Sequence, residues 1–174
     1  MKKTLFFAAA LMFFAGAAFA DKVSVDIYAV NADGMGKKLG TVVAEDSDKG
    51  LVLKVNIKGI PTGQHGFHVH ANPSCEPAMG TDGKMSAALS AGGHYDPDNT
   101  GKHLGPEGQG HKGDLPYLTS DKNRKIKETV IAPRLTVAEI KGRSLMIHAG
   151  GDNYSDDPQP LGGGGVRIAC GVVK

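Results

Sequence analysis

The chain has 174 residues, with 20 lysines and arginines against 18 aspartates and glutamates and a formal net charge of +2. That length suits one domain with a real hydrophobic core. So even a charge balance leaves no basic stripe for nucleic acid or an anionic membrane surface.

The first residues differ from the rest. Met1-Lys2-Lys3 is a short positive start, and Leu5 to Phe19 is an apolar run. The run falls short of the roughly 20 residues that cross a bilayer, and Ala18-Phe19-Ala20 ends it with a small-x-small pattern. This is the layout of a secretory signal peptide. Residues 1–20 therefore read as a cleaved export signal and residues 21–174 as one mature domain. Cleavage removes Lys2 and Lys3 but no acid, which leaves 18 basic and 18 acidic residues. Neither nucleic acid nor, after cleavage, a membrane is expected as a partner.

Beyond the signal, period-two alternation dominates. Val23, Val25, Ile27 and Ala29 share one face of a first strand, and Ser24, Asp26 and Tyr28 the other. Ala32-Asp33-Gly34 reads as a turn, Gly40 to Glu45 as a short strand, and Lys49-Gly50 as the next turn. Leu51, Leu53, Val55 and Ile57 then alternate with Val52, Lys54, Asn56 and Lys58. From Ala71 to Leu118 no strand or amphipathic helix is expected, and the segment is rich in Gly, Pro, Asp, Asn and His. A loop that long inside a domain is usually functional or disordered. Further strands are expected over Ile126–Ile131, Ser144–His148 and Val166–Val173, with a single helical turn over Thr136–Lys141. A second irregular stretch runs from Ala149 to Gly165. Short strands with Gly-rich turns and little helix predict an all-β antiparallel sandwich or barrel. The chain has two cysteines, Cys75 and Cys170. Export favours a disulfide between them, against the alternatives of two buried thiols or two metal ligands. Closing a loop of roughly 95 residues is worth about 4–5 kcal/mol in the chain-entropy model.

All seven histidines fall between His65 and His148. On an extended strand His68 and His70 share a face, about 7 Å apart by Cα, and can grip one ion. His94, His103, His111 and Asp114 supply imidazoles and one carboxylate, a donor set that suits Zn²⁺ in a closed, structural site. Metal binding would also order so polar a loop. His148 ends the apolar run Leu145-Met146-Ile147, where a third ligand could join His68 and His70. Imidazole donors without thiolates suit copper as well as zinc.

The segments Gly66-Phe67-His68-Val69-His70, Ala91-Gly92-Gly93-His94, Lys102-His103-Leu104-Gly105-Pro106, His111-Lys112-Gly113-Asp114-Leu115 and Gly165-Val166-Arg167-Ile168-Ala169-Cys170-Gly171-Val172 occur in this order. Together with both cysteines they resemble the copper/zinc superoxide dismutases over essentially the whole mature chain. The signal peptide, Asn72-Pro73-Ser74-Cys75, Gly150-Gly151-Asp152-Asn153 and Asp157-Pro158-Gln159-Pro160 resemble the bacterial periplasmic branch. The resemblance implies an eight-stranded Greek-key β-barrel or sandwich with long metal-binding loops. It implies dismutation of superoxide to dioxygen and hydrogen peroxide, an antioxidant defence in the periplasm. The implied cofactors are copper cycling between Cu²⁺ and Cu⁺, and Zn²⁺.

The same resemblance assigns His68, His70 and His148 to copper and makes His94 the bridge to zinc. His103, His111 and Asp114 complete the zinc set. Asp152 matches a carboxylate that hydrogen-bonds one ligand of each metal from outside, and His65 a supporting histidine. Arg167 matches the arginine that guides the superoxide anion, while His94 couples proton to electron transfer. Cys75 and Cys170 match the disulfide pair. His148 and Arg167 are 19 residues apart, closer than in eukaryotic cytosolic members, so their charged steering loop has no counterpart here. Lys84 and Lys102 are the candidates for other steering charges. The expected assembly is a monomer or homodimer. The residues alone leave three other functions open: a metal-storage module, a zinc hydrolase, and a non-enzymatic β-sandwich interaction module.

Overall fold

Leu51, Leu53, Val55 and Ile57 alternate along β3 (Gly50–Lys58), and all four are buried while Lys54, Asn56 and Lys58 face water. The strand takes its place in the sheet from this one-sided pattern, because a slip of one residue would turn the apolar set outward. The computed structural model describes residues 21–174; the export signal expected over residues 1–20 lies outside the described residues.

The other strands are β1 (Lys22–Asn31), β2 (Gly34–Ser47), β4 (Gly63–His65), β5 (Phe67–His70), β6 (Ala78–Met79), β7 (Met85–Ser86), β8 (Leu118–Ser120), β9 (Lys125–Ala132), β10 (Ser144–His148) and β11 (Arg167–Val172). One helical turn, α1 (Val137–Ile140), lies between β9 and β10, with Thr136 and Glu139 forming a reciprocal capping box.

Seven strands form an antiparallel sheet in the order β5-β10-β11-β1-β2-β3-β9. β4 and β5 are one run broken at Gly66. The β5 half bonds to β10, whereas the β4 half bonds to β8. A turn joins β8 to β9, with Asp121 N donating to Lys125 O at 2.9 Å. Counting β4 and β5 together, eight strands curl around one core. The connections β3 to β4 and β9 to β10 cross over rather than joining neighbours, which is Greek-key order. The core is aliphatic around Phe67, with Ile27, Leu53, Ile57, Leu115, Leu118 and Leu145 wholly buried. Burying one such side chain stabilises by about 1.5–3 kcal/mol.

Three expectations need correction. The inward face of β1 runs Val25, Ile27, Val30 rather than on to Ala29, because bulges at Tyr28 shift the register against β2. β2 extends well beyond Gly40–Glu45 at both ends, since polar residues complete its ladder through backbone bonds alone. The segment after β5 is not without strands. It holds the β6–β7 hairpin, a 3-10 turn at Leu89–Ala91, and β8 at its end. These elements are too short to leave a period in sequence.

The disulfide forms: Cys75 and Cys170, 95 positions apart in sequence, are bonded, with Cα atoms 5.7 Å apart. It fastens the segment after β5 onto β11.

Candidate metal centre

The site grows from the β5–β10 edge of the sheet. All four residues of β5 are buried, His68 and His70 among them, and their rings are 6.4 Å apart by centroid. β10 runs beside β5 in the register Met146–His68 and Ser144–His70 and delivers His148 at its end. The long loop brings the other ligands back to this edge. Val69 N donates to Gly113 O, Tyr95 N to Val69 O, and Gly113 N to Tyr95 O, each at 2.8 Å. Three ligand-bearing segments are thereby laced into one: His68 and His70 flank Val69, His94 precedes Tyr95, and Asp114 follows Gly113.

Backbone carbonyls and one carboxylate fix the tautomers, since an oxygen of either kind can only accept. His70 Nδ1 donates to Gly92 O at 2.8 Å, and His148 Nδ1 to Gly165 O at 2.9 Å. Both Nε2 atoms therefore carry lone pairs, yet they face each other at 3.4 Å. Asp152 accepts from His68 Nε2 at 2.8 Å and from His103 Nε2 at 2.7 Å. The Nδ1 atom of each ring is then free for a metal. Such outer hydrogen bonds are the usual way a ligating histidine is oriented.

Free lone pairs mark the centre. Among the described residues, the buried side-chain atoms without a hydrogen-bond partner are His68 Nδ1, His94 Nε2, His103 Nδ1, His111 Nδ1 and Ser144 Oγ. Four of these five are imidazole nitrogens, and leaving so many buried polar atoms unmatched is costly. Around Asp114, His94 Nδ1 lies 2.9 Å from Oδ1, His103 Nδ1 3.0 Å from Oδ2, and His111 Nδ1 3.5 Å from Oδ1. Donors around one tetrahedral zinc ion stand about 3.3 Å apart, so this spacing fits a cation between them.

Two groups have ligand atoms within 4.8 Å of one another: His68, His70, His94 and His148; and His68, His94, His103 and Asp114. His94 belongs to both, with Nδ1 toward Asp114 and Nε2 unpartnered. The second group contains His68 where the sequence put His111. His111 sits just outside it, with Asp114 3.5 Å from its Nδ1 and the His94 ring 5.3 Å away by centroid.

The electrostatics favour cation binding. Burial, then the neighbouring imidazoles led by His94, holds the pKa values of His68 and His70 well below the usual histidine range. Burial also lowers His148, to about 4. All three are neutral donors at pH 7. Burial opposes charge on His103, but the Asp114 and Asp152 carboxylates outweigh it and raise the ring to about 9, so without metal it holds a proton at pH 7 that a cation at Nδ1 displaces. Burial raises and the His103 and His94 rings lower the Asp114 pKa; the net effect is downward, so it stays ionised.

Arg167 lies across from His148 in the β10–β11 register. Its Nη1 donates to Ala88 O and its Nη2 to Gly92 O, each at 2.6 Å. His65 bridges backbone instead, with Nδ1 2.8 Å from His148 O and Nε2 2.7 Å from Pro61 O. Asp156 was not anticipated: it accepts from His103 N and Leu161 N, joining the loop that carries His103 to the Ala149–Gly165 stretch. Nothing in the local sequence separates it from its acidic neighbour Asp157. Lys84 lines a surface pocket beside the β6–β7 hairpin with Met79 and Met85.

Comparison with known proteins agrees with this geometry. A family model described as copper/zinc superoxide dismutase (SODC) matches residues 39–173. The chain is 55% identical over 175 residues to a Cu-Zn superoxide dismutase of Brucella melitensis, covering 100% of both. It is 52% identical over 176 residues to Cu-Zn superoxide dismutase 2 of Salmonella typhimurium, again 100% of both. A solved Cu/Zn superoxide dismutase from Brucella abortus superposes with TM-score 0.87 at 57% identity, covering 88% of this chain and 100% of that one. The solution structure of the monomeric copper, zinc enzyme of Salmonella enterica gives TM-score 0.79 at 54% identity, with 88% and 100% coverage.

Proposed function

The chain belongs to the copper/zinc superoxide dismutase family, and from that premise we propose how its residues share the reaction. The enzyme converts superoxide to dioxygen and hydrogen peroxide, an antioxidant activity, with copper and zinc as its cofactors. Copper supplies the one-electron redox chemistry and zinc the structural charge.

His68, His70, His94 and His148 hold copper, and His94, His103, His111 and Asp114 hold zinc. This division is supported by the two lone pairs facing at 3.4 Å on His70 and His148 and by the three imidazole nitrogens gathered around Asp114. Assigning His68 to copper keeps it with His70 and His148, whose ligand atoms lie within 4.8 Å of its own, and gives His111, whose Nδ1 has no other partner, the fourth zinc position. Asp152 keeps the His68 and His103 rings in the tautomers that present Nδ1. His94 Nε2 is the atom that accepts a proton and passes it to the reduced oxygen species. Arg167 stays charged despite partial burial, and attracts and orients the anion.

The observation that carries this reading is the set of four buried imidazole nitrogens without partners. Metal analysis and a dismutation assay test it together. One copper and one zinc per chain are expected, with activity lost in His148→Ala; a loaded protein no more active than free copper would refute it.

Residues 1–20 direct export and are removed, leaving 21–174 to work in the bacterial periplasm. The disulfide fits an oxidising compartment. N-terminal sequencing of periplasmic protein should begin at Asp21. Of monomer and homodimer, the monomer is favoured, because the exposed large apolar side chains form no broad patch: Met35 and Ile131 lie on different strands, Val166 precedes β11, and Met79 and Met85 pair with each other across the β6–β7 hairpin. Sedimentation equilibrium at one chain mass would bear this out.

A further inference from the structure

The connection between β9 and β10 carries three charged side chains that reach the metal-bearing loop, and one of them is unusual. Arg134 sends Nη1 to Gly108 O and, at 3.4 Å, to His111 O, while its Nη2 donates to Gly110 O at 3.0 Å. One guanidinium thus collects three carbonyls from a stretch of four residues ending at His111. Among the described residues, no other donor reaches the Gly108 or Gly110 carbonyl. The stretch forms no strand or helix, so its backbone has little else to set its path. His111 N donates to Lys102 O at 2.8 Å, which ties the residue on the opposite side from Arg134. Nearby, Lys112 pairs with Glu139 of α1.

His111 is the ligand with the least support. His68 and His103 are held by Asp152, and His70 and His148 by carbonyls. The His111 ring has no hydrogen bond at Nδ1; the Asp114 carboxylate lies 3.5 Å from that atom, and the His94 ring packs edge-on with its centroid 5.3 Å away, so no hydrogen bond orients the ring. Its position therefore depends on its backbone. We infer that Arg134 is a positioning residue for zinc: it holds the Gly108–His111 backbone so that the His111 ring is delivered to the zinc side of the centre. The inference rests on the ligand division proposed above. A planar fork with several donors can serve three carbonyls at once, which an ammonium cannot do in the same geometry.

The test uses the mature protein and Zn²⁺, Co²⁺ and Cu²⁺ as probes. Zinc affinity is measured by chelator competition, and the geometry of the zinc position by the visible absorption of Co²⁺ bound there. Arg134→Gln should weaken zinc about 10–100-fold, as removal of an outer partner does. The Co²⁺ spectrum should change, and copper affinity should stay within about twofold. Arg134→Lys, which keeps the charge and is the safer variant for folding, should show the same changes in smaller degree. Zinc affinity within about twofold of the parent in both variants would overturn the inference, as would zinc and copper affinities falling in parallel. His111→Ala separates this failure from failure of the ligand division. If it loses zinc while Arg134→Gln does not, only the role of Arg134 falls; if it keeps zinc at parental affinity, the division falls, and the inference with it.

Discussion

Arg167 and His70 share an acceptor: the Gly92 carbonyl takes a hydrogen bond from Arg167 Nη2 at 2.6 Å and from His70 Nδ1 at 2.8 Å. One oxygen therefore sets both the guanidinium proposed to guide the anion and the tautomer of a proposed copper ligand. Ala88 O takes the other arm of the guanidinium, so the charge cannot swing away. A fixed cation near a reaction centre raises the arrival rate of an anion in a salt-dependent way. Arg167→Gln should lower the dismutation rate about tenfold or more at low ionic strength and flatten its salt dependence, with copper content unchanged. Arg167→Lys keeps the charge but not the fork and should lose less. Pulse radiolysis across ionic strength checks both; an unchanged rate in Arg167→Gln would remove Arg167 from anion guidance.

Asp152 gives a different outcome because it serves two rings at once. Both the His68 and His103 Nε2 atoms donate to it, and Asn offers one acceptor where the carboxylate offers two. In Asp152→Asn one of the rings must turn or change tautomer and withdraw its Nδ1. Affinity for at least one metal should fall about 10–100-fold. There is no room to compensate: a Cβ on Gly162, which has φ +70°, would lie 2.1 Å from Asp152 Oδ1. Competition titrations with each metal measure the loss, and parental affinity for both would disprove the shared role.

The centre was legible in sequence to an uneven degree. His68 and His70 announce themselves by strand spacing, and β3 and β10 by alternation or an apolar run. The disulfide is foreshadowed by an even cysteine count and by the export signal expected over residues 1–20. What holds the ligands was not legible. Gly92 O, Gly165 O and the Val69-Tyr95-Gly113 lace are backbone groups, which carry no residue-type signal. Arg134 lies beside Pro133 in a plain connection and makes its contacts across more than twenty residues. The Tyr28 bulge carries no sequence signal, because strict alternation describes only a regular ladder.

The metal-free protein should depend on pH in a definite direction. His68 and His70 are held well below 6.5, and His148 at about 4, chiefly by burial. Unfolded histidines titrate near 6.5, so below that value the unfolded chain binds protons that the folded chain refuses. Their contribution is present above about 6.5 and is lost as pH falls toward about 4. His103 has the opposite sign. Its folded value is raised to about 9, so its contribution is full below about 6.5 and is lost as pH rises through about 9. Thermal unfolding of chelated protein should therefore show Tm falling between pH 6.5 and 4.5. A Tm that rose over that interval would contradict the neutral state of the His68, His70 and His148 rings.

Breaking the disulfide should affect activity as well as stability. Its loop of 95 residues corresponds to about 4–5 kcal/mol in the chain-entropy model, a Tm drop on the order of 10 °C for a domain this size. Cys170 is on β11 with Arg167, and Cys75 opens the segment that carries Ala88 and Gly92. Cys75→Ser paired with Cys170→Ser should therefore lower Tm and also weaken salt-dependent anion guidance. Equal Tm in parent and double variant under oxidising conditions would show that the bond adds no stability.

Gly113 provides the sharpest test of how the centre is assembled. Its backbone forms two of the three 2.8 Å bonds of the lace, and a Cβ there would lie 2.3 Å from Val69 O and 2.8 Å from Tyr95 N. Both neighbours are backbone atoms of ligand-bearing segments, so neither can move aside alone. Gly113→Ala must push Val69, with His68 and His70, away from Tyr95 and Asp114. Overpacking of this kind costs about 1–3 kcal/mol, and here the strain falls on the spacing between the two metal positions. Copper and zinc affinity should both drop about tenfold or more. Gly93→Ala is the matched control: it sits beside His94, yet a Cβ there meets nothing within 4 Å, and it should bind both metals as the parent does. Metal content after dialysis reads both variants. If Gly113→Ala retained both ions, the lace would be incidental, and each ligand would be held by its own strand or loop.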